Sequence, residues 1–400
     1  TSMYKVPASV PTNLKVEIMG ESCRRYSARI IRNVKVGPSP EWVVKHLESI
    51  GQRSINNIVD ATNIVMYDCG QPTHAFDLKK LVSEKIVIRN AEANTELPVV
   101  GREGIVAKLL GTDLVITDGE KNLALGGVKG GLDSGISDDT CDIVIEVANF
   151  NPIAVRKTAR RLGLLSDSAK RFENDLSPTL CDFGMLELSA LLTDLLPEAT
   201  FEDIVDIYPV QQKERVISFT RTHIEKVLGT EITDQDFENI LMKYDYSYTK
   251  KGSEYMMIVP PLRLDLLGAA DMAEEIGRVY GYDKVTPQIP KINFAPKHNE
   301  KYESILKTRN TFTESGYREV MTYAFANTGD VEVLASASDK KFLRTNLTDG
   351  LKKSYELNKL NLSLLGMKEI KIFEIGTVFQ NDVEEIHVAW NEKEKIIEVI

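Results

Sequence analysis

Residues 142–164 read DIVIEVANFNPIAVRKTARRLGL. The first half alternates, with Ile143, Ile145 and Val147 on one face and Val144, Glu146 and Ala148 on the other, the period of a strand. The second half, NPIAVRKTARRLGL, reads as a helix. Upstream, between residues 86 and 147, the short β-branched runs KIVIR and TDLVIT alternate with glycine-rich connections such as LALGGVKGGLDSGISDDT. Strands and helices mixed in this way predict an α+β fold rather than a regular βα repeat. One residue breaks the pattern. Glu146 is a lone carboxylate among small apolar neighbours, and burying it without a partner is costly. Either it lies at a strand edge in solvent, or it is an acceptor aimed into a largely apolar pocket.

A second stretch, residues 59–78, reads VDATNIVMYDCGQPTHAFDL. An apolar, strand-like run carrying Thr62 and Asn63 meets a turn-rich GQP and then His74, one of five histidines. A single histidine is most often a packing or surface residue, but an ordered turn before it would fix the imidazole's direction toward a site. Upstream, SPEWVVKHLESIG predicts a helix with Ser39 as N-cap, Pro40 in the first turn and Gly51 past the end.

The chain has 400 residues and a formal net charge of −10, which argues against general nucleic-acid affinity. Its length predicts two or three domains. Basic residues nevertheless cluster between positions 151 and 180, where Arg156, Lys157, Arg160, Arg161, Lys170 and Arg171 face only Asp167, Glu173 and Asp175. Such a patch suits contact with a phosphate backbone, or a solvated helix face. Cys23, Cys69, Cys141 and Cys181 are scattered without a CxxC pair, so reduced structural thiols are expected. No membrane span or signal-type leader is expected, and the cytoplasm is the expected compartment.

Two seams divide the chain, PVQQKER at 209–215 and the proline-rich PQIPKINFAPKHNEK at 287–301. The domains expected are 1–210, 211–288 and 289–400. In the second, TDQDFENILMKY predicts an amphipathic helix capped by Thr233, YMMIVPPLRLD a strand, and AADMAEEIGRVYGYD another helix. There Asp271, Glu274, Glu275 and Arg278 share one helical face, with Asp265 just ahead. Two readings stay open, an acidic helix start favoured by the dipole or oxygen ligands for magnesium. The chain has no P-loop, GxGxxG or GxSxG motif, so hydrolysis here would use water as nucleophile.

Taken in order, these segments resemble one family, the β subunits of bacterial phenylalanyl-tRNA synthetases. CRRYSARIIRNVKVGPSPEWVVKHLESIG, SINNIVDATNIVMYDCGQPTHAFDL, LALGGVKGGLDSGISDDT and IEVANFNPIAVRKTARRLGLLSDSAKRFE follow its editing domain. VPPLRLDLLGAADMAEEIGRVYGYDKV follows the small domain after it, and GYREVMTYAF, LRTNL and IKIFEIGTVF the start of its synthetase-like domain. The resemblance implies a mixed-sheet editing domain, a small winged-helix-like α+β domain, and an incomplete class II synthetase-like antiparallel domain. It implies hydrolysis of mischarged Tyr-tRNA(Phe) in an editing pocket of Thr62, Asn63, His74, Gly127 and Glu146. Phosphate-backbone contact then falls to Arg156, Arg160 and Arg161, and magnesium to Asp265, Asp271, Glu274 and Glu275. Glu146 is the expected acceptor for the tyrosine hydroxyl, because a site built around that hydrogen bond rejects the analogue lacking it. Two departures touch the pocket: Gly126 stands where the family usually has alanine, and Lys129 where it has methionine.

The resemblance also implies partners, an α subunit that binds ATP and tRNA(Phe), in an assembly of two α and two β subunits. The last block carries Phe373-Glu374-Ile375-Gly376 where a working site would want an arginine for ATP, so it is expected to be inactive and to serve assembly. The oligonucleotide-binding and anticodon-binding domains usual at the two ends of the family are not in this sequence, which reads as a fragment or a short form. A freestanding editing hydrolase and a non-catalytic scaffold are the rival expectations.

Overall fold

A computed structural model describes residues 7–101, 105–295, 297–336, 338–364 and 366–400. The opening TSMYKV and one proline of the 287–301 seam therefore lie outside the described residues. The chain divides into two compact units, Thr1–Pro287 and Gln288–Ile400. The architecture is mixed α+β with several separate sheets. No helix among the described residues is long and apolar enough to cross a membrane.

Strand Ile143–Phe150 sits inside the first sheet rather than at its rim, between the antiparallel strands Cys23–Arg32 and Thr73–Asp77. Its register places Glu146 opposite Ala28 on one side and His74 on the other. Alternation then sorts the side chains. Ile143, Ile145 and Val147 join Ile31 and Ala75 beneath the helices Asn57–Cys69 and Leu180–Leu195. Val144 and Ala148 join Tyr26, Ala28, Ile30 and Phe76 in a core shared with a second sheet, represented by Ile86, Ile88, Ile116 and Leu125. That sheet runs Lys129–Gly130, Asn122–Leu125, Leu114–Thr117, Lys85–Asn90, Lys15–Ile18 in spatial order. Glu146 therefore points between two sheets and is only 6% exposed. The edge-strand reading is excluded.

Two local expectations need correction. The run carrying Thr62 and Asn63 is helix Asn57–Cys69, not a strand. Its start is capped by Asn56, whose side chain accepts from the Ile58 and Val59 amides, and it stops at Gly70 in the left-handed region at φ 80°. The helix Glu41–Ser49 forms where expected, but Ser39 does not cap it. The Ser39 hydroxyl donates to buried Asp60 instead, beside the Ser54 hydroxyl and the Ile55 amide. A carboxylate without solvent needs several donors, and this demand outweighs one cap.

Within the same unit, the antiparallel strands Arg215–Thr220, Glu254–Val259 and Tyr248–Lys251 pack with helices Arg221–Leu228, Asp234–Lys243 and Ala269–Tyr280 around a core of their own. Thr233 caps its helix as the sequence predicts, accepting from the Asp236 amide. The second unit contains a four-stranded sheet ordered Arg318–Glu319, Ile372–Gln380, Val383–Glu392, Lys395–Val399, with the helices Glu300–Glu314 and Thr348–Lys359.

Candidate functional site

One cavity of about 420 Å³ opens between the two sheets of the first unit, and Thr62, Asn63, His74, Gly127 and Glu146 all line it. Its size lies in the range of small-molecule sites, roughly 300–1,000 Å³. Each element delivers its residue for a local reason. The turn before His74 is fixed by buried Gln71, whose Nε2 donates to the carbonyls of Pro72 and Ala148. The Thr73 hydroxyl ties the start of the His74 strand to the Thr62 carbonyl, at 3.2 Å. The helix bearing Thr62 and the strand bearing His74 are thus one rigid wall.

His74 and Glu146 face each other across paired strands, and burial moves both in the direction of neutrality. It lowers the His74 imidazole to about 4, so the ring is uncharged at neutral pH. It pushes the Glu146 carboxyl up to about 7, although the Tyr26 hydroxyl, donating to Oε2 at 2.6 Å, pulls it back down. Glu146 Oε1 has no partner among the described residues. His74 Nε2 is buried without a hydrogen-bond partner among the described residues, an exception in a folded protein that calls for a ligand or a water. The ring is held edge-on to Phe76, with centroids 4.6 Å apart. It has room only because residue 130 is glycine: a Cβ there would lie 2.8 Å from His74 Cε1.

The other walls are equally specific. Thr62 donates its hydroxyl proton to the Val59 carbonyl at 2.7 Å, which leaves the oxygen as an acceptor only. The Asn63 side-chain carboxamide makes no hydrogen bond among the described residues. Gly127 adopts φ +70° and a Cβ would meet Phe150, Val155 and Phe172 at 2.9 to 3.0 Å, so no other residue fits that corner. Ser166 and Ser168 also line the cavity. Their hydroxyls are turned to the backbone, Ser166 to the Val128 carbonyl and Ser168 to the Gly127 carbonyl. Neither pairs with a histidine. The cavity can bind an aromatic side chain with one polar tip and orient water, and among the described residues it offers no side-chain nucleophile with a base.

Sequence reasoning missed Tyr26, Gly130 and the pair Tyr67–Asp167, in which the Tyr67 hydroxyl donates to Asp167 at 2.9 Å on the cavity wall. Period two would have placed Tyr26 on the Ala28–Ile30 face, but only the register aligns that face with Glu146. Lys129 also lines the cavity, and its ammonium has no partner among the described residues.

The basic helix Pro152–Leu162 leads into this wall through Ser166 and Asp167. Its three arginines differ. Arg161 is committed to Asp113 and to the Lys108 carbonyl. Arg156 donates to the Glu173 carbonyl, and both Arg156 and Arg160 lie 3.9 Å from the Glu173 carboxylate. Those two, 46% and 68% exposed in their side chains, stay open to an external anion.

The four carboxylates read as magnesium ligands are not gathered into a donor set. Asp265 accepts from Arg263 at 2.6 and 2.9 Å. Glu275 is buried and paired with Arg263 and Arg278. Asp271 accepts from the Leu267 and Gly268 amides at its own helix start, and Glu274 points to solvent. Among the described residues no group of three or more His, Cys, Asp and Glu side chains is placed to hold a metal. The guanidinium groups supply the positive charge that the acidic cluster needs.

In the second unit, Glu374 lies on the interior strand Ile372–Gln380 and is 1% exposed. Arg344, from LRTNL, reaches across to it at 2.7 Å, while Thr322 donates to it from both its amide and its hydroxyl. The guanidinium also donates to the Thr377 carbonyl at 2.8 Å.

Three family models match in succession: the B3/4 domain over residues 22–197, the tRNA synthetase B5 domain over 217–282, and the phenylalanyl tRNA synthetase beta chain CLM domain over 285–397. The phenylalanine–tRNA ligase beta subunit of Thermotoga maritima is 34% identical over 372 residues, 90% of this chain and 46% of that one. That of Carboxydothermus hydrogenoformans is 33% identical over 398 residues, 94% and 48% of the two chains. An N-terminal fragment of the phenylalanyl-tRNA synthetase beta subunit from Pyrococcus horikoshii is a remote structural neighbour, with TM-score 0.35 and 13% identity over 70% of this chain and 78% of that one. The chain spans about half the length of the curated relatives it matches. With all three models in this order and identities of about a third across nearly the whole sequence, the chain belongs to the family of phenylalanine–tRNA ligase beta subunits.

Proposed function

We propose that this chain serves the attachment of phenylalanine to tRNA(Phe) together with an α subunit, and that its own reaction is hydrolysis of mischarged Tyr-tRNA(Phe). The observation that carries the reading is the cavity with a buried carboxylate at its floor and an uncharged, unpartnered imidazole directly across. Tyrosine differs from phenylalanine by one phenol hydroxyl. Glu146 would accept that hydroxyl, while phenylalanine would leave the acceptor desolvated and unpaired, a penalty of about 1–3 kcal/mol or more for a charged group. His74, Asn63 and the Thr62 oxygen would position the ester and the attacking water, and Gly127 admits the close approach of backbone. Arg156 and Arg160, on the helix that runs into the cavity wall, would meet the tRNA phosphates.

The division into domains 1–210, 211–288 and 289–400 goes with this reading: editing in the first, a small α+β module, and an inactive synthetase-like block for assembly. With Arg344 committed to Glu374, that guanidinium is not offered to a triphosphate, so ATP would be bound by α. An assembly of two α and two β subunits in the cytoplasm completes the proposal. Magnesium fits the second domain poorly as its side chains stand, since Arg263 and Arg278 would have to leave Glu275. A magnesium titration that stabilises the parent and not Glu274→Gln would restore it.

The test is to incubate the chain with Tyr-tRNA(Phe) and Phe-tRNA(Phe). Selective release of tyrosine, lost in Glu146→Ala and His74→Ala, is the expected result. No release from either substrate would favour a non-catalytic scaffold.

A further inference from the structure

We propose that Tyr26 is a positioning and specificity-determining residue of this site: its hydroxyl holds one oxygen of Glu146 and thereby aims the other at the substrate phenol. The inference rests on the tyrosine-editing reading above.

Tyr26 has no solvent exposure. Its hydroxyl donates to Glu146 Oε2 at 2.6 Å, the length of a charge-assisted O–H···O⁻ bond. The contact is diagonal across two paired strands, since Tyr26 stands opposite Ala148 and Glu146 opposite Ala28. Ala28 and Ala148 have no bulk to deflect it. A buried tyrosine needs a partner for its hydroxyl, and here the partner is a side chain that lines the cavity, not backbone. The carboxylate is left with one committed oxygen and one free one, which is the arrangement a single phenol donor requires.

The same bond favours the ionised carboxylate against the burial that opposes it. The other ionisable groups near Glu146 do not substitute for it. Cys23, on the Tyr26 strand, turns its thiol to the Arg25 carbonyl, and burial raises its pKa well above the ordinary thiol range. His74, on the opposite strand, is uncharged near neutrality. Asp167 and Tyr67 bond each other, and Lys129 comes from the facing sheet. Loss of the Tyr26 hydroxyl leaves the carboxyl protonated over more of the physiological range and free to rotate.

The experiment measures binding of L-tyrosine and L-phenylalanine to the full chain by calorimetry between pH 5.5 and 9, in the parent and in Tyr26→Phe. The Glu146 carboxyl is followed in parallel by carbon-13 NMR. We expect the tyrosine-over-phenylalanine ratio to rise with pH in the parent. In Tyr26→Phe the ratio should fall about ten-fold near neutrality, and both its rise and the carboxyl titration should move to higher pH. In a Glu146→Gln background, Tyr26→Phe should cause no further loss. That background also spares the fold an unpaired buried carboxylate. A parent that prefers tyrosine, with ratio and carboxyl titration both unmoved by Tyr26→Phe, overturns the role of Tyr26 alone. A parent with no tyrosine preference at any pH overturns the editing reading and this inference with it.

Discussion

Glu146 and His74 obtain their character from the same burial, and it works against stability at opposite ends of the pH scale. The Glu146 carboxyl rises from 4.5 to about 7 on folding. Its contribution is therefore fully present below pH 4.5 and is lost as the pH rises to 7. Glu146→Gln keeps the shape and the contact with Tyr26 but cannot ionise. It is expected to be more stable than the parent at pH 8, by up to about 3 kcal/mol, with the difference nearly closed at pH 4. Urea unfolding at the two pH values checks this, and an equal difference at both would refute it. His74 runs the other way. Its pKa falls from 6.5 to about 4, so its contribution is present above pH 6.5 and lost as the pH falls to 4. His74→Asn should accordingly lose less stability than the parent between pH 7 and pH 4, read from the same unfolding curves. The residue types at these positions were visible in the sequence as oddities. Their protonation was not, because it depends on which strands enclose them.

Among the elements, two glycines separate space for the fold from space for the site. A side chain at Gly127 meets Phe150, Val155 and Phe172 and must also hold φ +70°. Gly127→Ala is expected to cost roughly 1–3 kcal/mol and to lower the melting temperature of the first unit. At Gly130 the obstacle is the His74 ring itself, a side chain that can move. Gly130→Ala should leave unfolding nearly unchanged and weaken tyrosine binding, and calorimetry separates the two effects. The helices and strands were largely legible here. Thr233 read correctly as a cap because its partner lies three residues away. Ser39 did not, because its partner, Asp60, comes from another element. The helix Asn57–Cys69 carried its signals, Asn56 before and Gly70 after, yet its β-branched interior imitated a strand. Packing beneath Ile143, Ile145 and Val147 makes those residues serve a helix.

For the whole molecule, the separation into Thr1–Pro287 and Gln288–Ile400 makes a direct prediction. Residues 7–287 alone should unfold cooperatively and bind tyrosine as the full chain does, and absence of a thermal transition would disprove it. In the second unit, Glu374 is buried and bonded to Arg344, whose side chain is 11% exposed. Glu374→Ala strands a guanidinium without a counterion and should destabilise that unit by about 3–5 kcal/mol, measurable by calorimetry while tyrosine binding persists. The sequence shows a carboxylate in the strand Phe373-Glu374-Ile375-Gly376 but not that Arg344 would meet it from another segment.

By itself the sequence determined the α+β class, most elements and the family, since these depend on local periodicity and on motif order along the chain. The resemblance carried by its motifs also named Thr62, Asn63, His74, Gly127 and Glu146, which all line the cavity. Only the tertiary structure decided that Glu146 lies on an interior strand facing His74, that Tyr26 bonds it, and that the acidic helix pairs with arginines. These are contacts between side chains far apart in sequence, and strand register, which brings them together, has no local signature.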